Sequence, residues 1–398
     1  MIIEKLKLNN FHYLLIFIFL LSCLLVRAAN DMMPFVETQY VFNYKFEFLK
    51  RGLLGELFRL SFDKVNSQII YIVSFFFLLI LSTYFFKIFF LDFNKEKNIH
   101  KFIFSIMVFT SPFTMQHFIF DIGRQDIINL LITFLSFFFI EKFHKKNLLL
   151  AFMLLLNLSV MLLIHEGSFF MFIPIIFGFW FFKNPHKDNL LIKLALFFII
   201  VFITFVISTQ GLSTHFTFQE LNNYLLNRYF LPYDIDKIVF IQTSALHVLF
   251  RDLFNTYDPF VPHSIIEDAI INGFNIDGLI NNIILILLLS PAFFIVYKIY
   301  LNILKSSDLR TKFFLILPFS PFVLFIFGYD HMRWWSLIFT NIFIVILFLC
   351  KEKKTYQSII INNVKEYKFL YYFLVLESFL LGPVRVIGTF DVVQKIIY

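Results

Sequence analysis

Charge is what this chain has least of. Only 15% of its 398 residues are Asp, Glu, Lys or Arg, while 59% are hydrophobic. An ordinary soluble domain carries about 25% charged residues, so a single water-exposed fold around one core is excluded. Lipid must be the second solvent, and in lipid only helices or closed barrels satisfy their own backbone. The apolar runs lack period-2 alternation, which excludes a barrel and leaves an all-α bundle. Cysteine is scarce too. Cys23 falls in the first apolar run and Cys350 at the end of a late one, so no disulfide framework is expected. No Cys/His group has zinc-ligand spacing, and neither a metal nor a cofactor is expected. No internal repeat and no low-complexity linker interrupts residues 1–398, which read as one integral membrane domain. What is abundant is Phe, with 63 residues. Together with plentiful Ile, Asn and Lys it has the look of an AT-rich bacterial genome.

Apolar runs of about 17–25 residues predict about eleven spans. They lie near 11–28, 68–92, 102–118, 126–141, 148–164, 168–182, 190–209, 281–301, 313–328, 334–350 and 369–384. The first run follows Lys5 and Lys7 in the manner of a signal peptide, but alternating spans continue after it, so it reads as a retained helix.

The connections alternate in charge. One set carries Lys95, Lys97 and Lys101; Lys142, Lys145 and Lys146; Lys183 and Lys187; Lys305, Arg310 and Lys312; and Lys351, Lys353, Lys354, Lys365 and Lys368. The positive-inside rule makes these cytoplasmic, together with the N-terminus. The intervening hairpins hold almost no Lys and are therefore outer. Two outer loops are long, about 29–67 and 210–280, the second being a large one late in the chain. The formal charge of +7 is explained by inner lysines facing anionic headgroups, and nucleic-acid binding is excluded. The expected setting is a bacterial inner membrane, with membrane lipids as partners.

The remaining polar residues gather on the outer face. Arg51 lies in the first long loop, Asp121, Arg124 and Asp126 between spans three and four, and His165 with Glu166 in the hairpin between spans five and six. Asp330, His331 and Arg333 lie between spans nine and ten, and Arg385 follows the last. Ionisable groups at such positions are costly unless paired or facing water. Each has a bland reading: Arg51 as a cap on an interfacial helix, 329–335 as an aromatic belt, Arg385 on lipid headgroups. An Asp126–Arg124 pair reads as structural. His165-Glu166 is harder to dismiss, because a short apolar hairpin must aim both groups at each other, at water or at a ligand.

Arginine forks match phosphate oxygens with two donors at once, and a carboxylate or His beside them can take a proton from a hydroxyl. That combination suits glycosyl transfer from a lipid-linked pyrophosphate. Arg51, Arg124 and Arg333 would hold the pyrophosphate, Asp126, Glu166 or Asp330 would be the base, and His165 would shape the site. Tyr224, Tyr229, Tyr233 and Tyr257 in the late loop would stack on sugar rings.

A chain of this size with about eleven spans, a large late outer loop and outward arginines resembles the Wzy-type O-antigen polymerases, within the broader GT-C type of integral membrane glycosyltransferases. The resemblance implies polymerisation of O-antigen or capsule repeat units at the outer side of the inner membrane. It also implies an undecaprenyl-pyrophosphate-linked oligosaccharide as substrate and a chain-length regulator as partner. It adds Arg228 and Arg251 to Arg51, Arg124 and Arg333 as substrate-binding positions. GT-C enzymes hold an acidic residue in the first outer loop. Here Glu47 and Glu56 are available, but no Asp-Asp or Asp-Glu pair occurs. A single-sugar transferase using a polyprenyl-phosphate donor shares this topology and outward site, and the missing acidic pair tilts the reading towards the polymerase. A flippase would expect midplane charges and a repeat, although Pro112, Pro174, Pro291, Pro318 and Pro321 do interrupt spans. A membrane acyltransferase using His165 lacks the expected early Arg and His.

Overall fold

The computed structural model describes residues 10–30, 50–62, 64–184, 190–210, 276–326, 330–385 and 390, with 32, 36, 37, 39, 40, 43–45 and 48 between them. The elements are α1 (Asn10–Ala28), α2 (Leu53–Ser61), α3 (Ser67–Phe85, continued by a π-helical turn Phe86–Asp92), α4 (Ile99–Thr110), α5 (Met115–Phe120), α6 (Gln125–Phe143), α7 (Asn147–Ile164), α8 (Ser168–Met171), α9 (Ile173–Lys183) and α10 (Leu190–Gln210). They continue with α11 (Ile276–Leu288), α12 (Ser290–Lys305), α13 (Leu309–Ile316, continued by a 3-10 segment Leu317–Ile326), α14 (His331–Glu352), α15 (Lys354–Glu366) and α16 (Lys368–Leu381). Every regular element among the described residues is helical, as the unalternated apolar runs require.

Two kinds of helix occur. In α1 one face is buried, with Tyr13, Phe17, Leu20, Leu24 and Ala28 at intervals of three or four, while Phe11, Phe19 and Val26 are exposed. α10 likewise exposes Leu191, Phe198 and Phe202. An apolar face left bare over a whole helix is tolerated only in lipid. α14 is different: 89% of its apolar window is buried inside the protein against 28% for α1 and for α10. α14 is therefore central, together with α4 and α5, which are buried as completely, while α1 and α10 meet lipid.

Among the described residues six helices are long and apolar enough to cross a membrane, or seven if a bent pair counts as one. That pair is α11–α12, which turns by 70° at Leu289, where Pro291 occupies the first turn of α12. The other expected spans are irregular for definite reasons. α6 has 19 residues but includes Asp126, Glu141 and Lys142. The run 168–182 is split at Phe172 into α8 and α9. The run 313–328 is an eight-residue α-helix followed by ten residues of 3-10 helix, because Pro318 and Pro321 each remove a backbone donor. α16 is only 14 residues long. The third span, too, is α4 and α5 joined at Ser111-Pro112, and Gln116 Nε2 mends the break by donating to Thr110 O at 2.6 Å and Ser378 O at 2.8 Å.

The first long loop is not loose over the bundle. Val36, Tyr40, Leu54, Phe58 and Val65 form a small second core with Ile70, Ile128 and Ile164 at the ends of α3, α6 and α7. This lid-like layer places Arg51 beside the α7–α8 turn. Residues 211–275, most of the late loop, lie outside the described residues. So do Arg228, Arg251, the four loop tyrosines and Glu47.

Candidate functional site

The α6 and α14 helices begin, and α7 ends, at the same end of the bundle. The turns there carry the residues that the sequence singles out. Four carboxylates, Asp121, Asp126, Glu166 and Asp330, meet three guanidinium groups, Arg51, Arg124 and Arg333.

Two pairs are bidentate. Arg51 donates from Nε to Glu166 Oε2 at 2.9 Å and from Nη2 to Oε1 at 2.7 Å. Arg333 donates from Nε to Asp126 Oδ2 at 2.6 Å and from Nη2 to Oδ1 at 2.7 Å. Asp126 sits in the first turn of α6, where the helix dipole favours an anion. Arg333 sits in the first turn of α14, where the dipole opposes a cation. The carboxylates supply the compensation: besides Asp126, Asp330 Oδ2 accepts from Arg333 Nη1 and from Arg124 Nη1, both at 3.1 Å.

This pairing corrects one expectation. Asp126 does not pair with its sequence neighbour Arg124; it pairs with Arg333 across the bundle. Arg124 immediately precedes α6 without capping it, and its side chain turns towards Asp121 and Asp330. The tight Asp121–Arg124 turn depends on Gly123, whose φ is +93°. A Cβ there would lie 2.8 Å from Val36 Cγ1, and Tyr40 Oη donates to Gly123 O at 2.7 Å. The first loop thus fastens this turn as well as presenting Arg51. Arg51 itself has φ +60°, a left-handed conformation that costs a non-glycine residue of order 1 kcal/mol or more.

The electrostatics follow from burial against charge. Burial alone would raise the Glu166 carboxyl, but the Arg51 guanidinium, with His165 and Lys50, holds it well below the usual carboxylate range. Burial likewise pushes Asp330 up, and Arg124 and Arg333 override it to leave the group lowered. For His165, burial and then Arg51 both disfavour the cation, bringing it down to about 3. At neutral pH the ring is uncharged.

Both ring nitrogens face donors: Gly167 N–H meets Nδ1 at 2.9 Å, and Arg333 Nη2, which can only donate, meets Nε2 at 3.4 Å. A neutral imidazole accepts at one nitrogen only, so one of these two donors faces a ring N–H. Gly167 is needed for the first contact: a Cβ on it would come within 2.8 Å of His165 Cε1.

The predicted site residues thus separate into groups. Arg51, Arg124, Asp126, His165, Glu166, Asp330 and Arg333 come together. His331 points away, its Nδ1 2.9 Å from Asn282 Nδ2 and its ring stacked on Phe325. Glu56 is held locally by Arg59 and Tyr44 N–H. Arg385 lies over the Phe120 ring. His117 is the residue that the sequence reading passed over: it is buried within electrostatic reach of Asp121, Asp126 and Arg124. One His in an apolar run gives no signal beyond that of a core residue. Beneath the cluster a polar seam enters the bundle, with Asn129 donating to Ser168 Oγ at 2.6 Å and Asn341 to Met171 O at 2.7 Å. Among the described residues no three His, Cys, Asp or Glu side chains are arranged to hold a metal ion.

No family model, no curated protein and no solved structure matches the chain.

Proposed function

We propose that this protein is a membrane glycosyltransferase of the bacterial inner membrane that polymerises lipid-pyrophosphate-linked oligosaccharide repeat units at the outer face. The observation that carries the reading is the gathering of three guanidinium groups, Arg51, Arg124 and Arg333, around His165 at one buried end of the bundle. Donors so placed in a water-poor site are suited to negative charge that grows on a leaving pyrophosphate oxygen. Each carboxylate then has a use besides neutralisation. Asp126 and Glu166, with both oxygens engaged by arginine, fix the planes of the forks. Asp330, the most open carboxylate of the four at 23% exposure, ties Arg124 to Arg333.

The orientation that goes with this reading has the lysine-rich connections in the cytoplasm. It keeps eleven crossings, some of them made by short or broken helices. α13 with its 3-10 continuation rises about 30 Å, enough for the hydrocarbon core. Short helices thin the bundle where a polar headgroup must approach. A flippase is the second reading, favoured by the 70° break between α11 and α12, since broken helices line transport paths.

Deleting the gene in its host and running the surface polysaccharide on a gel separates these. The proposal expects the ladder to collapse to a single repeat unit on its core. A ladder of unchanged length overturns it, and trapped lipid-linked units with no surface repeat favour the flippase.

A further inference from the structure

The four carboxylates of the cluster are not equivalent. Asp126 and Glu166 each accept two charge-assisted hydrogen bonds from one arginine fork. Asp330 accepts two more, from two arginines, on one oxygen. Asp121 is buried, its side chain only 2% exposed, yet among the described residues neither of its oxygens accepts a hydrogen bond. Its one ionic contact is with Arg124 Nε at 2.6 Å, and the Nε–H is not directed along it. The ion pair with Arg124 offsets part of the cost of burying this carboxylate, but its lone pairs receive no directed N–H or O–H.

His117, one helical turn earlier, belongs to the same side. Its Nδ1–H donates to Val384 O, 3.4 Å away, which leaves Nε2 as an acceptor. The cluster therefore has two halves of opposite hydrogen-bonding sense. Arg51 and Arg333 present donors, while Asp121 and His117 Nε2 present acceptors. A donor half is complementary to an anion, and an acceptor half is complementary to a hydroxyl.

We infer that Asp121 is the catalytic base of the transfer, receiving the hydroxyl of the acceptor saccharide at a subsite formed with His117. The inference rests on the glycosyltransferase reading. In the step, the acceptor oxygen forms a bond to the anomeric carbon of the donor as its proton passes to an Asp121 carboxylate oxygen. The bond from the anomeric carbon to the pyrophosphate oxygen breaks, and its electron pair leaves with the lipid pyrophosphate beside Arg333 and His165. Asp126 and Glu166 are poorly suited to this role because their lone pairs are occupied by guanidinium N–H groups. Bringing a hydroxyl to Asp121 supplies the donor that this residue lacks.

The test is complementation of the deletion strain with Asp121→Asn and Asp121→Glu, each checked for membrane level. In parallel, the purified variants are heated with and without undecaprenyl pyrophosphate. Asp121→Asn is expected to lose the ladder, by a hundredfold or more in polymer made, while undecaprenyl pyrophosphate still raises its melting temperature as in wild type. Asp121→Glu is expected to restore short chains. A full ladder from Asp121→Asn overturns the inference and leaves the glycosyltransferase reading standing. Loss of the stabilisation by undecaprenyl pyrophosphate in Asp121→Asn alone overturns it too, since that places Asp121 in the donor half. If the wild-type gene does not restore a ladder, the glycosyltransferase reading itself falls, and the inference with it.

Discussion

The two ends of the bundle both carry ion pairs, and they use them in opposite ways. At the lysine end, Lys351 pairs with Glu141, Lys183 with Glu352 and Lys353 with Asp308, and these side chains are substantially exposed. At the arginine end, Arg333–Asp126, Arg51–Glu166 and Arg124–Asp121 are withdrawn from solvent. A hydrated ammonium on a flexible stem fits the first situation and a rigid guanidinium fork the second. Exposed pairs contribute about 0–1 kcal/mol. A buried pair is a poor source of stability compared with apolar packing, and breaking one strands a charge. Among the described residues the pairs with both partners largely buried lie at the arginine end, whereas at the lysine end even the buried Lys101 pairs with an exposed Glu96; the proposed function gives those buried pairs a use.

The contrast can be broken most severely at Arg333. Arg333→Ala leaves Asp126 buried without its fork, and a loss of about 3–5 kcal/mol is expected, read as a fall in melting temperature of the solubilised protein. Arg333→Lys should recover part of that stability but none of the polymer, because an ammonium cannot serve Asp126 and an incoming oxygen together. Gly123→Ala comes next. The left-handed backbone and the contact with Val36 predict a cost of about 1–3 kcal/mol, measured in the same way. At the other end, Lys351→Ala should change the melting temperature by less than the equivalent of about 1 kcal/mol. A larger fall there would erase the distinction between the two ends.

Acid sharpens the same comparison. His165 is lowered to about 3 in the folded protein from an unfolded value of about 6.5. Between those limits the unfolded chain binds the extra proton, so stability falls as pH falls from 6.5 towards 3. Glu166, lowered in the fold, adds a further loss beginning below its unfolded value of about 4.3. His165→Gln should abolish the first part of this decline, between about pH 6.5 and 4.5, and leave the second. A melting-temperature profile unchanged by the substitution would contradict the neutral, buried imidazole.

How much of this was legible in the sequence depends on range. The membrane class follows from apolar runs alone, and the gathering of charges at one end follows from counting turns along them. His165-Glu166 stands out because both residues interrupt a short apolar hairpin. Their partners were not legible, since Arg51 and Arg333 lie 115 and 168 residues away. The nearest opposite charge to Asp126 in sequence, Arg124, is not its partner in the fold, because the first turn of α6 faces α14. Span count failed to resolve for a related reason. Hydropathy cannot tell a continuous helix from one broken at Pro112, Phe172 or Pro321. Asp121 was visible as a charge, but its lack of a donor is a property of the packed site.

The most direct test of the arginine end as the working end is a titration of undecaprenyl pyrophosphate into the protein in nanodiscs, comparing wild type with Arg51→Gln, Arg124→Gln and Lys351→Gln. Saturable binding by wild type and Lys351→Gln, weakened tenfold or more in the two arginine variants, about 1.4 kcal/mol each, is the predicted result. Equal binding by all four proteins, or weakening confined to Lys351→Gln, would contradict it.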